Sequence, residues 1–85
     1  MEIWYKPSFV RRFQKLEKAL QDEAFEKIEL FKDIKNHKQL NVHKLAGRLS
    51  GRYSFSVNYK YRIVFSYVSS QIAEFADIGD QDIYK

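Results

Sequence analysis

The chain has 85 residues, of which 45% are hydrophobic, 16% aromatic and 31% charged, with a formal net charge of +4. That composition describes one small globular domain rather than a disordered segment, and at this length folding buries only about 60 to 65% of the surface an unfolded chain exposes. Cysteine is absent, which excludes disulfides and thiolate zinc sites; the opening "MEIWYKPSF" has an early acid and a short apolar run, unlike a signal peptide or membrane span, so a cytoplasmic setting without a membrane is expected.

Residues 1–5 alternate Ile3 and Tyr5 against Glu2 and Trp4, which predicts a short first strand. Pro7 suits the first turn of a helix, where its missing N–H is not needed. Phe9, Phe13, Leu16 and Leu20 follow at helical spacing and draw one apolar stripe, with Arg11, Arg12, Lys15 and Lys18 mostly off it. "QDEAFEKIELFKDIKN" predicts a second helix, capped by Gln21 or Asp22, with Ala24, Ile28 and Phe31 as its buried line. The very short link between the two favours an antiparallel pair. "NHKQLNVHKLAG" reads as a polar connection pinned by Leu40, Val42 and Leu45.

From Arg52 the period changes to two. Tyr53, Phe55 and Val57 alternate with Ser54, Ser56 and Asn58, predicting a strand with one apolar and one wet face. "NYK" closes a hairpin into Tyr61, Ile63, Phe65 and Tyr67, interleaved with Arg62, Val64, Ser66 and Val68; apolar residues on both sides predict a central strand. "VSSQ" turns into a last strand, "IAEFADIG", ended by Gly79 and followed by the tail "DQDIYK". The order β-α-α-β-β-β predicts an α+β domain, with two antiparallel helices on one face of a mainly antiparallel four-stranded sheet. The other face, carrying Ser54, Ser56, Arg62 and Ser66, is left for a partner.

Charge is segregated along this chain. Eleven acids are present, and none lies between Ile34 and Ala73, a window that holds Lys35, Lys38, Lys44, Arg48, Arg52, Lys60 and Arg62 together with His37 and His43. Uncompensated bases interleaved with aromatics suit a polyanion, and phosphate is attracted to such a face without sequence choice.

"KLAGRLSGRYSFSVNYKYRIVF", followed by "DIGDQDIY", resembles the RelE/ParE superfamily of bacterial toxin–antitoxin toxins across essentially the whole chain. The shared features are a Lys-Leu-x-Gly lead-in, a Gly before a Tyr-led strand, "YRIVF" on the next strand and a Gly-plus-Tyr ending. In its nuclease branch the resemblance implies a ribosome-dependent mRNA endonuclease that needs neither metal nor cofactor and is neutralised by a cognate antitoxin. In that reaction the ribose 2′-OH attacks the adjacent phosphate and expels the 5′-oxygen.

The resemblance assigns catalytic roles to three residues. Arg62 matches the family's arginine on the central strand, whose fork pairs with two phosphate oxygens. His43 stands where some members place a general-base carboxylate, and Tyr84 matches the C-terminal tyrosine. Lys44, Arg48, Arg52, Lys60 and Gln81 are expected to hold RNA, whereas Tyr53, Phe55 and Tyr61 are expected to be core. Two departures keep other branches open. Ser54 and Ser56 stand where some members carry bases, and Asp80, Gln81 and Asp82 stand where many carry His or Arg. The alternatives are a ParE-type toxin that inhibits DNA gyrase and an inactive relative that binds antitoxin.

Overall fold

The computed structural model describes residues 1–80 and Ile83; Gln81 and Tyr84 lie outside the described residues. Strand β1 (Glu2–Tyr5) leads into helix α1 (Pro7–Gln14) and helix α2 (Lys18–Phe31). A 3-10 turn at Ile34–Asn36 precedes strands β2 (His43–Lys44), β3 (Tyr53–Ser56), β4 (Arg62–Ser69) and β5 (Ile72–Gly79). The strands form one sheet in the order β1-β5-β4-β3-β2, in which only the β1–β5 pair is parallel. The expected α+β architecture is present, with five strands rather than four. The additional one is the His43–Lys44 pair, which bonds to the outer edge of β3. Two residues carry no readable periodicity, so this strand exists because an open edge was available, not because its own pattern demands it.

Both helices begin and end elsewhere than the apolar stripe predicts. Helix α1 stops at Gln14, and Leu16 falls in the link, its amide bonded back to the Phe13 carbonyl. Helix α2 starts at Lys18 with Glu17 as its cap. Asp22 is already inside the helix, paired with Lys18 one turn earlier. Gln21 spends its amide on the Phe13 carbonyl, 2.9 Å away, so it seals the end of α1 instead of the start of α2. That bond joins the end of α1 to the start of α2, while Tyr5, just ahead of α1, stands near Glu29 and Lys32 at the end of α2, as an antiparallel pair requires.

One face of the sheet packs on the helices. Phe31, at the end of α2, stacks on Phe55 of β3 with ring centroids 4.6 Å apart and meets Phe65 of β4 and Phe75 of β5 edge-on at 4.9 and 5.4 Å. The His37 ring closes its other side at 4.4 Å and sends Nε2 to the Phe31 carbonyl, 2.8 Å away. Tyr53 and Tyr61 are half-buried against this cluster and Phe55 is fully buried, as expected of core residues.

Strand β5 changes phase midway. Val64 pairs with Asp77 but Phe65 pairs with Phe75, so Ala76 is an extra residue and forms a bulge. Ser8 of α1 donates to the bulged Ala76 carbonyl at 2.6 Å. Through this bulge Ala73, Phe75 and Ile78 all reach the core, although their spacing is not a constant two.

Phe31→Ala is expected to cost about 3–5 kcal/mol, the range for truncating a buried aromatic. Urea unfolding of the variant measures it, with a midpoint shift at unchanged slope as the expected result.

A basic sheet face as candidate nucleic-acid interface

Register decides what the helix-free face displays. Directly paired residues share a face, so His43, Ser54, Val64 and Asp77 form one row across β2 to β5, and Ser56, Arg62 and Gly79 form the next. His43 and Arg62 therefore stand on the same face, two strands apart with β3 between them and offset by two residues. Lys44 pairs with Tyr53 and falls on the opposite, helix-side register. This face is less wet than its alternation predicts. Ser54 is fully buried and Val64 is 1% exposed, so its centre is closed and its polar groups lie at the periphery.

Arg62 is half-buried and tied to the β3–β4 turn. Its Nη1 donates to the carbonyls of Asn58 at 2.5 Å and Tyr61 at 3.1 Å. Neither bond uses Nε or Nη2, the edge that suits a bidentate phosphate contact. Because its partners are carbonyls, the charge is oriented but not neutralised.

His43 is exposed, with Nδ1 2.8 Å from the Asn41 carbonyl. A carbonyl only accepts, so Nδ1 carries the hydrogen, and Nε2 holds the lone pair in the neutral ring. Asn41 adopts a left-handed backbone, φ 59°, a conformation that Asn tolerates better than most residues. The turn thus presents the imidazole with its proton-accepting nitrogen outward.

The remaining bases sit in loops, while the strand residues of this face include Asp77, paired with Val64, and Glu74, paired with Ser66. Arg48 sits in a 3-10 turn, Gly47–Leu49, between Gly47 and Gly51, whose φ values of 68° and 89° only glycine adopts readily. The loop is closed by the Leu45 amide on the Arg52 carbonyl, 2.9 Å. Lys60 is at the hairpin tip, 5.7 Å above the Tyr61 ring. Among the described residues, no ion pair engages Lys44, Arg48, Arg52, Lys60 or Arg62, whereas Lys6, Arg12, Lys18, Lys32 and Lys35 each have a carboxylate partner. Arg11, Lys15 and Lys27, outside the acid-free window, likewise have no ion pair among the described residues, and Lys35 inside it is paired with Asp33. Gln81 and Tyr84 fall outside the described residues.

Arg12 is the residue that sequence reasoning left on a solvated helix face. Strand β1 covers only Ile72–Phe75 of β5, leaving the edge of its second half without a strand partner among the described residues, and Ser8 of α1 bonds to the Ala76 carbonyl there. From there Arg12 reaches Asp77 at 3.5 Å, and its Nη1 would stand 3.5 Å from a side chain at Gly79, the partner of Arg62. Nothing in helical periodicity signals a reach around a sheet edge. Burial pushes the Tyr67 phenol above its ordinary value, and neighbouring Tyr53 adds to this; both rings are on the helix-side register, away from Arg62 and His43. Among the described residues, His, Asp and Glu side chains do not gather in threes as a metal site would.

No protein-family model matches the sequence, and no curated protein matches it. Solved structures do. YafQ from E. coli strain BL21(DE3) superposes with a TM-score of 0.76 at 16% identity, over 98% of this chain and 96% of that one. The YoeB chain of the YoeB–YefM complex from Staphylococcus aureus gives 0.72 at 19%, over 93% and 94%. The toxin–antitoxin complex RelBE2 from Mycobacterium tuberculosis gives 0.69 at 13%, over 94% and 96%. This is the fold of the RelE/ParE toxins. The likeness spans nearly the full length of both chains in each pair.

Replacing Arg48 and Arg52 together by Ala is expected to weaken binding of single-stranded oligoribonucleotides irrespective of sequence. It should also reduce the slope of log K against log salt by about 0.7 for each phosphate that is no longer neutralised. Fluorescence anisotropy over a salt series measures both.

Proposed function

We propose that this chain is the toxin of a type II toxin–antitoxin pair and cleaves mRNA on the ribosome without a metal. The supporting observation is Arg62, an unneutralised guanidinium held by two main-chain carbonyls on the same sheet face as a histidine whose Nε2 is free to accept a proton. Nε2 of His43 removes the 2′-OH proton, the 2′-oxygen bonds to phosphorus, and the P–O5′ bond breaks. Arg62 offsets the charge that builds on the phosphorane oxygens. Tyr84 is assigned to the leaving 5′-oxygen, to which a proton must pass, on the sequence resemblance alone; Gln81 is assigned to RNA binding on the same ground. The products are a cyclic phosphate and a free 5′-hydroxyl. Arg48, Arg52 and Lys60 serve as phosphate-holding groups; Lys44, expected among them from the sequence, lies on the helix-side register and is left out of that set.

The partner that silences this chemistry is a cognate antitoxin, as in the toxin–antitoxin complexes that share the fold. Its seat is an apolar groove of about 170 Å³ between the helices, lined by Tyr5, Phe9, Val10, Phe13, Phe25 and Ile28, with Phe25 61% exposed. Arg11 lies on α1, and Asp22, Glu26 and Glu29 lie on α2. An amphipathic helix with acids along one flank and bases along the other complements that pair. Among the described residues no helix is long and apolar enough to cross a membrane.

A second reading, a toxin that binds DNA gyrase, is favoured by one feature: Asp77 and Arg12 neutralise each other beside Arg62, so the face carries fewer net cations than its bases suggest.

The test is a stalled ribosome carrying defined mRNA, incubated with the purified protein and mapped for new 5′ ends. Wild type is expected to cleave in the decoding site, Arg62→Ala to lose cleavage while keeping its fold by circular dichroism, and His43→Gln to slow it by about 10²–10⁴-fold. Normal cleavage by Arg62→Ala overturns the assignment; intact mRNA together with gyrase co-purification favours the second reading.

A further inference from the structure

We infer that Asn58 and Glu23 form a positioning pair that holds the Arg62 guanidinium in place from helix α2; the inference rests on the nuclease reading of Arg62 but concerns a linkage that exists without RNA. The β3–β4 turn is short and polar. Asn58 Oδ1 accepts from the amides of Lys60 at 2.9 Å and Tyr61 at 2.7 Å. Since Oδ1 is the acceptor for two N–H groups, the other terminal atom is the amide nitrogen, and it donates to Glu23 Oε1 at 2.7 Å. The main-chain carbonyl of the same residue takes Arg62 Nη1 at 2.5 Å. One asparagine thus sets the turn, clamps the turn to a helix 35 residues earlier in the chain and holds the arginine.

A turn residue needs only the first of these. An Asx turn closes through Oδ1 and leaves the amide nitrogen to water. Here that nitrogen meets a carboxylate on a separate element, in a partly buried, charge-assisted bond. Helix α2 is itself fixed by Ala24, Ile28 and Phe31, all buried in the core. Glu23 is beside Ala24, so the clamp refers the turn to the most rigid part of the molecule. The Tyr61 carbonyl, the second acceptor of Arg62, also receives the Val57 amide at 2.9 Å, so both acceptors of Arg62 belong to the clamped turn. Phosphoryl chemistry is sensitive to such placement, and a shift of about 1 Å in a group that stabilises the transition state can cost about 100-fold in rate.

Glu23 is a positioning residue and touches no substrate. Its variants separate that role from stability. Glu23→Gln keeps an acceptor for Asn58 and is expected to behave as wild type, whereas Glu23→Ala removes it. In Glu23→Ala the order parameter of the Arg62 Nε–H, measured by nitrogen-15 relaxation on the full chain, is expected to fall, with the backbone of β4 unchanged. Cleavage of ribosome-bound mRNA is expected to lose kcat by about 10- to 100-fold with KM nearly unchanged. The same substitution is expected to have no further effect in an Arg62→Ala background, where RNA affinity measured by anisotropy supplies the comparison. An unaltered Arg62 order parameter in Glu23→Ala overturns the inference, as does equal behaviour of the Gln and Ala variants. If wild-type protein cleaves no mRNA, the nuclease reading falls, and the relaxation measurement still decides whether Glu23 holds Arg62.

Discussion

The Phe31 ring is the constraint on which the rest of the structure depends. It lies over one phenylalanine from each of three adjacent strands, Phe55, Phe65 and Phe75. Side chains alternate along a strand, so a one-residue slip in any of the three would carry its phenylalanine to the opposite face. Holding the three rings together fixes the register of β3, β4 and β5 at once. That register brings His43, Ser56, Arg62 and Gly79 to the other face. The candidate site is thus specified from behind, by apolar packing that touches none of its polar groups. An 85-residue domain has few other sources of such order, because its core is thin.

Electrostatics then gives the specified face its character. A cation anchored by a carboxylate is positioned but largely cancelled. Arg62 is anchored by carbonyls, which orient its charge without cancelling it. Arg12 represents the other arrangement, since Asp77 answers it. The contrast between the two guanidiniums on either side of Gly79 explains why net charge alone is a poor guide to this face. Burial of Ser54 and Val64 adds to the effect, because a closed centre lowers the local dielectric and strengthens what remains at the rim.

Much of this was legible in the sequence where a pattern had length. The alternation from Tyr53 to Tyr67 predicts two paired strands and names Tyr53, Phe55 and Tyr61 as core, and the acid-free window from Ile34 to Ala73 marks the basic side. What was not legible depended on tertiary context. The His43–Lys44 strand is too short to have a period and forms only against the open edge of β3. The helix boundaries misled because Leu16 and Leu20 continue the spacing of Phe9 and Phe13 through a link that is not helical. The bulge at Ala76 had a signal, the change from odd to even apolar positions between Phe75 and Ile78, which strict alternation does not allow. Ser54 looked wet because serine usually is, yet it is fully buried. Arg12 and the Glu23–Asn58 clamp join residues far apart in sequence, which no local pattern encodes.

Apolar packing on one side of the sheet thus orients Arg62 and His43 on the other, the face proposed for a ribonucleotide backbone. Chemical-shift mapping by NMR decides whether RNA uses it, with a short single-stranded oligoribonucleotide titrated into the labelled protein at low salt. The perturbed signals are expected to cluster on His43, Arg48, Arg52, Ser56, Lys60 and Arg62, with the Arg62 Nε–H among the largest. Perturbations confined to Val10, Phe25 and their neighbours between the helices, or the absence of any change up to millimolar RNA, would refute an RNA-binding role for this face.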